Sequence, residues 1–118
     1  FLHTAAATPT LTAELLIGGA VVVSAVATPA STATTFGGRV EAMFTCRSLG
    51  APGTAQCFLQ FITSAGSSIV NVVQTSASTT TDNITTTGSL ALELRIRMTT
   101  AVASNTLTVK QAFIEKVV

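Results

Sequence analysis

Residues 36–63 read FGGRVEAMFTCRSLGAPGTAQCFLQFIT, and their pattern sets the expected architecture of the chain. Apolar and polar side chains alternate on both sides of a turn, Leu49–Gly53, that holds two glycines and a proline. Alternation with a period of two is typical of a strand that has one buried face. Glycine and proline favour the tight turn that joins two such strands. The stretch therefore predicts a long antiparallel β-hairpin.

The register of this hairpin follows from its turn. If the chain reverses at the Ala51–Pro52 bond, the inward side chains of the two arms form opposed pairs, namely Cys46 with Cys57, Phe44 with Leu59, and Ala42 with Phe61. A slip by one residue would turn every inward side chain outward, so agreement between turn and pattern supports this pairing.

Further runs along the chain predict additional strands, which cover residues 10–17, 20–27, 68–74, 84–87, 89–98 and 106–118, with Gly18-Gly19 as a bend or bulge. Residues 89–98 give the clearest of these signals, because every second residue is apolar: Leu90, Leu92, Leu94, Ile96 and Met98. A helix would scatter these side chains around its circumference. About eight strands without a helical stretch predict an all-β fold, a two-sheet antiparallel β-sandwich of jelly-roll type.

The two ends of the chain depart from this pattern. Residues 1–9 show no periodicity and are expected to form an N-terminal arm, either mobile or docked on a neighbour, while residues 10–118 form a single sandwich domain. In residues 106–118 the apolar positions change parity. Either a bulge near Lys110–Gln111 restores the phase, or both faces are buried there, one of them against a partner. Because the sequence begins at Phe1 rather than methionine, we also expect the numbering to start inside a longer or processed product.

The composition favours assembly with other proteins. Charged residues make up 9% of the chain, against about 25% in ordinary globular proteins. A monomer usually relies on charge for its solubility, so we expect part of the surface to be covered by copies of the same chain. We do not expect nucleic-acid binding, because the net charge is +1, no basic cluster occurs, and the chain has no tryptophan or tyrosine.

The most apolar run, residues 15–27, does not predict a membrane segment. A transmembrane helix needs roughly 20 apolar residues, whereas this run is shorter and is interrupted by Gly18-Gly19. No basic segment precedes it, as one would in a signal peptide. We interpret it as two adjacent strands.

Residues that could carry chemistry are few and scattered. His3 is the only histidine and lies in the predicted arm, where contact with solvent or an interface is expected rather than a catalytic role. Glu41 and Glu93 share faces with arginines, as in ordinary surface pairs; the remaining acids are Glu14, Asp82 and Glu115. No metal-ligand or phosphate-binding motif occurs. We therefore predict no enzyme activity, no cofactor and no metal site.

Cys46 and Cys57 oppose each other in the predicted register. That places them within reach of a disulfide if they form a non-hydrogen-bonded pair. The alternative, which we favour, is two buried thiols that act as small hydrophobic side chains without a disulfide. Both lie on the apolar face, and no other cysteine suggests a disulfide framework.

The outward face of the hairpin carries Met43, Phe58 and Ile62 among polar residues. In the predicted register Met43 faces Gln60 and Phe58 faces Thr45, so the apolar side chains are diagonal neighbours. Apolar groups surrounded by polar ones mark association surfaces when they are contiguous. We predict that Met43, Phe58 and Ile62 form a subunit interface; the alternative is a set of scattered exposed hydrophobic residues.

Two passages resemble a recurrent pattern of tailed-bacteriophage virion structural proteins of jelly-roll type. The first, residues 38–54, reads GRVEAMFTCRSLGAPGT and is similar to the hairpin pattern R-x-E-A-x-F-T-C-R-x-x-G-x-x-G-T of that group. The second lies within residues 88–117 and ends in SNTLTVKQAFIEKV, similar to the closing strand A-S-N-T-x-T-V. Together they fall in about the C-terminal two-thirds of the chain.

The resemblance implies a capsid cement (decoration) protein or a head-fibre domain, typically trimeric, and it carries over no catalytic residues. From it we expect a non-enzymatic virion subunit that forms a homotrimer, binds the major capsid protein on the capsid exterior and stabilises the shell. Such a protein would be made in the host bacterial cytoplasm and would bind neither nucleic acid nor membrane. The alternative is a receptor- or glycan-binding domain of a phage head or tail fibre, although this chain lacks the tryptophan and tyrosine that sugar sites usually use.

Overall fold

The architecture is that of a computed structural model, which describes residues 1–5, 10–29, 32–48, 54–65, 68–75, 89, 91–99 and 103–116. These residues form eight strands and no helix: β1 Leu2–Ala5, β2 Leu11–Ile17, β3 Ala20–Ala27, β4 Thr32–Ser48, β5 Thr54–Ala65, β6 Ser68–Thr75, β7 Leu92–Met98 and β8 Thr106–Thr108. The predicted turn at 49–53 and the predicted strand at 84–87 lie outside the described residues.

The strands form two antiparallel sheets that pack together. The larger sheet has the order β6-β5-β4-β1-β8, and the smaller one has the order β3-β2-β7. Contact between the sheets runs mainly through β3, which packs on β5 and β6, and through β2, which packs on β5. This arrangement confirms the predicted all-β fold of two packed antiparallel sheets.

The central hairpin forms as predicted, but its register differs by two residues. Cys46 pairs with Ala55, Phe44 with Cys57, Ala42 with Leu59, and Val40 with Phe61. The ladder is irregular between Cys46 and Ser48, which indicates a bulge at Arg47 that moves the pairing. Because side chains alternate with a period of two, a shift by two residues leaves each residue on its predicted face.

A two-residue turn, Gly18-Gly19, joins β2 to β3 and replaces the predicted bend or bulge. Both glycines have positive φ angles, 58° and 84°. That pair matches the type I′ turn, whose twist suits a tight hairpin and whose backbone excludes most other residues. The bulge lies two residues away, where the register changes between Leu15 and Leu16.

The hydrophobic core lies between β2 and β3 on one side and β5 on the other. Its buried members are Leu11, Ala13, Leu15, Ile17, Val23, Ala25, Ala27, Ala55, Cys57, Leu59 and Phe61. Leu59 and Phe61 are fully buried. Burying one such large apolar side chain contributes about 1.5–3 kcal/mol, so the inward row of β5 is the largest contribution from any single strand of the larger sheet.

The predicted N-terminal arm is wrong for the described residues 1–5, because Leu2–Ala5 form strand β1 between β4 and β8. Main-chain hydrogen bonds of 3.0 Å join Phe1 and Gly38 in both directions. The ring of Phe1 packs on Phe61, with 5.8 Å between ring centroids. Gly38 makes this packing sterically feasible, because it leaves room above β4 for the Phe1 ring.

The C-terminal strand is much shorter than predicted. In the described part of the expected run, residues 106–116, only β8 is a strand, and residues 109–116 form none. Strand pairing ends near the point where the apolar side chains change from one face of the strand to the other. The bulge that was expected in this segment therefore does not form.

Replacing Gly38 should destabilise the fold, whereas replacing its neighbour Gly37 should not. A Cβ at position 38 would collide with the Phe1 ring and stand 2.8 Å from the carbonyl oxygen of Ile62. A Cβ at position 37 would meet only Leu2 Cδ2 at 4.0 Å, an ordinary contact. We expect Gly38→Ala to lower the free energy of unfolding by about 1–3 kcal/mol, and Gly37→Ala to change it by less than about 0.5 kcal/mol. Urea unfolding measures both; equal effects would contradict the prediction.

Candidate functional site

The outward face of the hairpin brings its predicted apolar residues closer than the sequence suggested. Met43 lies directly opposite Phe58, and Ile62 lies opposite Arg39. The predicted pairs of Met43 with Gln60 and of Phe58 with Thr45 are wrong, because the register differs by two residues from the predicted one. Side chains directly opposite each other in an antiparallel pair are about 4.5–5.5 Å apart at Cβ, so Met43 and Phe58 are in reach of contact.

Strand β6 extends this face with two apolar residues that sequence reasoning missed. Its pairing with β5 places Val73 beside Gln60 and Ile69 beside Ser64. Both are therefore diagonal neighbours of apolar residues of β5. We call the resulting diagonal row the outer stripe, and its members are Met43, Phe58, Val73, Ile62 and Ile69. The alternation of β6 was visible in the sequence, but its register against β5 was not.

The outer stripe is exposed and has a polar border. Met43 is 59% exposed and Ile69 is 75% exposed, while Phe58 and Ile62 are half-buried. Polar side chains also lie between its members, since Gln60 Nε2 donates a hydrogen bond to Asn71 Oδ1 at 3.2 Å across the diagonal from Val73 to Ile62. An exposed ion pair of 3.5 Å joins Arg39 and Glu41. Contiguous apolar groups with a polar rim are typical of protein association surfaces.

On the outward face of the smaller sheet, Glu14 of β2 is buried beneath two arginines of β7. Arg95 Nε donates to Glu14 Oε2 at 2.9 Å, and Arg97 Nη2 donates to Glu14 Oε1 at 3.0 Å. The hydrogen bond from Arg97 is the largest of the effects that lower the pKa of Glu14 below its ordinary value, and Arg95 adds to it against the opposing effect of burial. Both carboxylate oxygens are thus occupied, which makes Glu14 a link between strands rather than a proton donor or acceptor.

Removing the charge of Glu14 should cost more than removing the charge of Glu41. Glu14→Gln leaves two half-exposed arginines without their shared carboxylate, so we expect a loss of about 1–2 kcal/mol in the free energy of unfolding. The matched variant Glu41→Gln breaks an exposed pair at 3.5 Å, and its loss should stay below about 0.5 kcal/mol. Urea unfolding at neutral pH gives both values, and an insensitive Glu14→Gln would show that the arginine pair is not stabilising.

His3 is fully buried, so its predicted contact with solvent or an interface is wrong. Its Nε2 lies 2.7 Å from Thr63 Oγ1, and its ring packs against Phe1 and Phe36. The other ring nitrogen, Nδ1, has no hydrogen-bond partner among the described residues. Burial lowers the pKa of His3 below its ordinary value of 6.5. The imidazole is therefore a neutral part of the core.

The burial of neutral His3 predicts a pH-dependent stability. Since the pKa of His3 is lower in the folded chain than its ordinary value of 6.5, the unfolded chain binds the proton first as the pH falls. The contribution of His3 is complete above pH 6.5 and is lost below it, at up to about 1.4 kcal/mol for each pH unit.

Urea unfolding of the wild type and of His3→Gln between pH 8 and pH 5 tests this effect. The difference in unfolding free energy between the two proteins should shrink as the pH falls below 6.5, because glutamine does not titrate. A difference that stays constant over this range would contradict the prediction.

The two cysteines lie apart in the ladder and in environment. Cys46 is exposed near the end of β4, where its thiol lies 3.5 Å from the carbonyl oxygen of Ser48, and Cys57 is buried in the core. The predicted opposition is wrong, because Phe44 and not Cys46 pairs with Cys57. No disulfide joins them. Cys46 points to the same side as the core but is exposed, because the end of β4 extends past the smaller sheet.

Other kinds of site were sought within the part of the chain that the structure describes. No group of three or more His, Cys, Asp or Glu residues there is arranged to hold a metal ion. No helix among those residues has the length and apolar character needed to cross a membrane. The outer stripe is the candidate functional site because it is a row of apolar side chains at the surface of the large sheet.

No family model matches the sequence, no curated protein matches it significantly, and no solved structure matches its fold significantly.

Proposed function

We propose that this chain is a non-enzymatic structural subunit of a virion, a capsid cement or decoration protein with jelly-roll topology. In this role it forms a homotrimer and binds the major capsid protein on the outer surface of the shell. The observation that carries the proposal is the outer stripe, an exposed apolar row on the large sheet with a polar rim. The virion setting is supported by the resemblance of residues 38–54 and 88–117 to tailed-phage proteins.

The charge of the chain supports a role in assembly. A protein with 9% charged residues and an exposed apolar row has little to keep it dispersed as a monomer. The two buried titratable side chains are part of the packing of the fold. Glu14 forms ion pairs with two arginines, and His3 is buried in the core. These observations favour a binding role for the protein over catalysis.

A cement protein stabilises a shell through several weak contacts made together. Specific interfaces bury about 800 Å² on each partner, and the outer stripe spans three strands of a large sheet, which is a suitable platform for one such contact. Once three subunits are joined, each further contact with the shell becomes intramolecular, so the combined affinity exceeds that of one subunit. Trimers would in this way hold neighbouring capsomers together.

The first test is the oligomeric state of the full chain and of variants in the outer stripe. Light scattering at micromolar concentration should give a trimer for the wild type and mostly monomer for Met43→Glu or Ile69→Glu, because a charge in the stripe opposes its burial. Thr45→Glu is the matched control, since Thr45 is exposed on the same face outside the stripe and its variant should remain a trimer. A monomeric wild type would overturn the trimer.

The second test asks whether the protein binds a capsid. Purified trimer is mixed with tailed-phage capsids that lack their decoration protein, and the mixture is sedimented. Saturable co-sedimentation, with subunits seen by electron microscopy on the outer shell, is the expected result. Trimers that fail to bind capsids, or subunits located at a fibre tip, would overturn the cement role.

A further inference from the structure

The C-terminal segment, residues 109–116, leaves β8 as an exposed chain with large apolar side chains. Phe113 is 80% exposed and Ile114 is 85% exposed, and Val109 is also exposed. Leaving such a side chain in water forgoes the free energy gained by burying it. Three of them in one short segment indicate that the segment has a surface to cover.

A second exposed apolar surface lies on the inward side of β7. Leu94 pairs with Leu15, and Leu92 pairs with Ile17, so these leucines point to the same side as the core residues of β2. Nevertheless Leu92 is 43% exposed and Leu94 is 46% exposed. The other end of β7 is covered, since Met98 packs against the core. The leucines are therefore inward side chains without a covering layer.

The layering of the sheets explains why this side is open. Strand β3 lies on β5 and β6, and β2 lies on β5, so β7 follows on the side of β4. On the larger sheet Phe44, an inward residue of β4, is also partly exposed. Within the described residues, β7 pairs only with β2. We call this region, formed by Phe44, Leu92, Leu94 and the outer edge of β7, the open side.

The segment of the same chain does not cover the open side. Strand β8 lies at the far edge of the larger sheet, and β1 separates it from β4. In the single chain both surfaces stay exposed, since Phe113 is 80% exposed and Leu94 is 46% exposed. One chain thus has both an exposed apolar segment and an open apolar face, and copies of the chain can cover both if each places its segment on the next.

We infer that residues 109–116 dock as an added strand on the open side of a second copy of this chain. Main-chain hydrogen bonds to the edge of β7 would hold the segment, and its apolar side chains would cover Leu92 and Leu94. The inference rests on the proposed self-association but not on the presence of a capsid. It also uses a surface separate from the outer stripe.

Cross-linking between two differently substituted chains tests this contact. Leu94→Cys and Ile114→Cys are made separately in a Cys46→Ser background, which removes the exposed native thiol, and the purified full chains are mixed and oxidised. Mass spectrometry should identify a disulfide between positions 94 and 114, which can form only between chains. In the control, Thr45→Cys replaces Leu94→Cys, and the link to position 114 should be at least about tenfold less abundant.

Each other result overturns the inference in an identifiable way. If light scattering shows a trimer but no link between positions 94 and 114 exceeds the control, the strand exchange is wrong and self-association stands. If the protein is monomeric and no link forms, both are wrong. If the link forms only when both substitutions are in one chain at nanomolar concentration, the segment covers its own chain, and a second copy is not involved.

A measurement of affinity complements the cross-link. The double variant Phe113→Ser/Ile114→Ser changes two side chains that are exposed in the single chain, so its thermal unfolding as a monomer should match that of the wild type. Its dissociation constant for self-association, from sedimentation equilibrium, should rise by about tenfold or more. An unchanged dissociation constant would overturn the inference.

Discussion

The burial of one face of β5 against β2 and β3 holds the two sheets together. β5 lies between β4 and β6, so its main chain is paired on both sides, and its inward side chains form the floor of the core. Leu59 and Phe61 are its largest members and are fully buried. The smaller sheet is too narrow to cover the whole of the larger one. The inward side chains at the end of β4 and on β7 are left partly exposed.

A missing side chain is as important to the fold as the buried ones. Because Gly38 has no Cβ, the rings of Phe1 and His3 can lie across β4 and reach Phe61 and Thr63 of the next strand. This contact joins β1 to the core and closes the end of the sandwich. A polar imidazole is accepted there because it is neutral and because Thr63 satisfies one of its nitrogens.

The sequence predicts which side of a strand is buried better than it predicts which residues meet. Alternation places Phe58 and Phe61 on opposite faces correctly, but the hairpin pairing differs from the predicted one by two residues, and the bulge at Arg47 accounts for one of them. No local signal marks that bulge. Likewise, β1 was missed because a short run that includes His3 has no apolar alternation. The pair of Glu14 with Arg95 depended on knowing that β2 and β7 are neighbours, which single-strand patterns do not contain.

The separation of β2 and β7 along the chain also constrains the order in which the protein folds. The β2–β3 hairpin closes a two-residue turn, whereas Glu14 and Arg95 are 81 residues apart. Local hairpins form in about 1–10 μs, while long-range pairing is slower because the chain entropy must be lost before the contact forms. The docking of β7 should therefore be a late event. Docking of β7 also buries the carboxylate of Glu14 on β2. This charge therefore loses its hydration only when the two guanidinium groups of β7 are in place to pair with it.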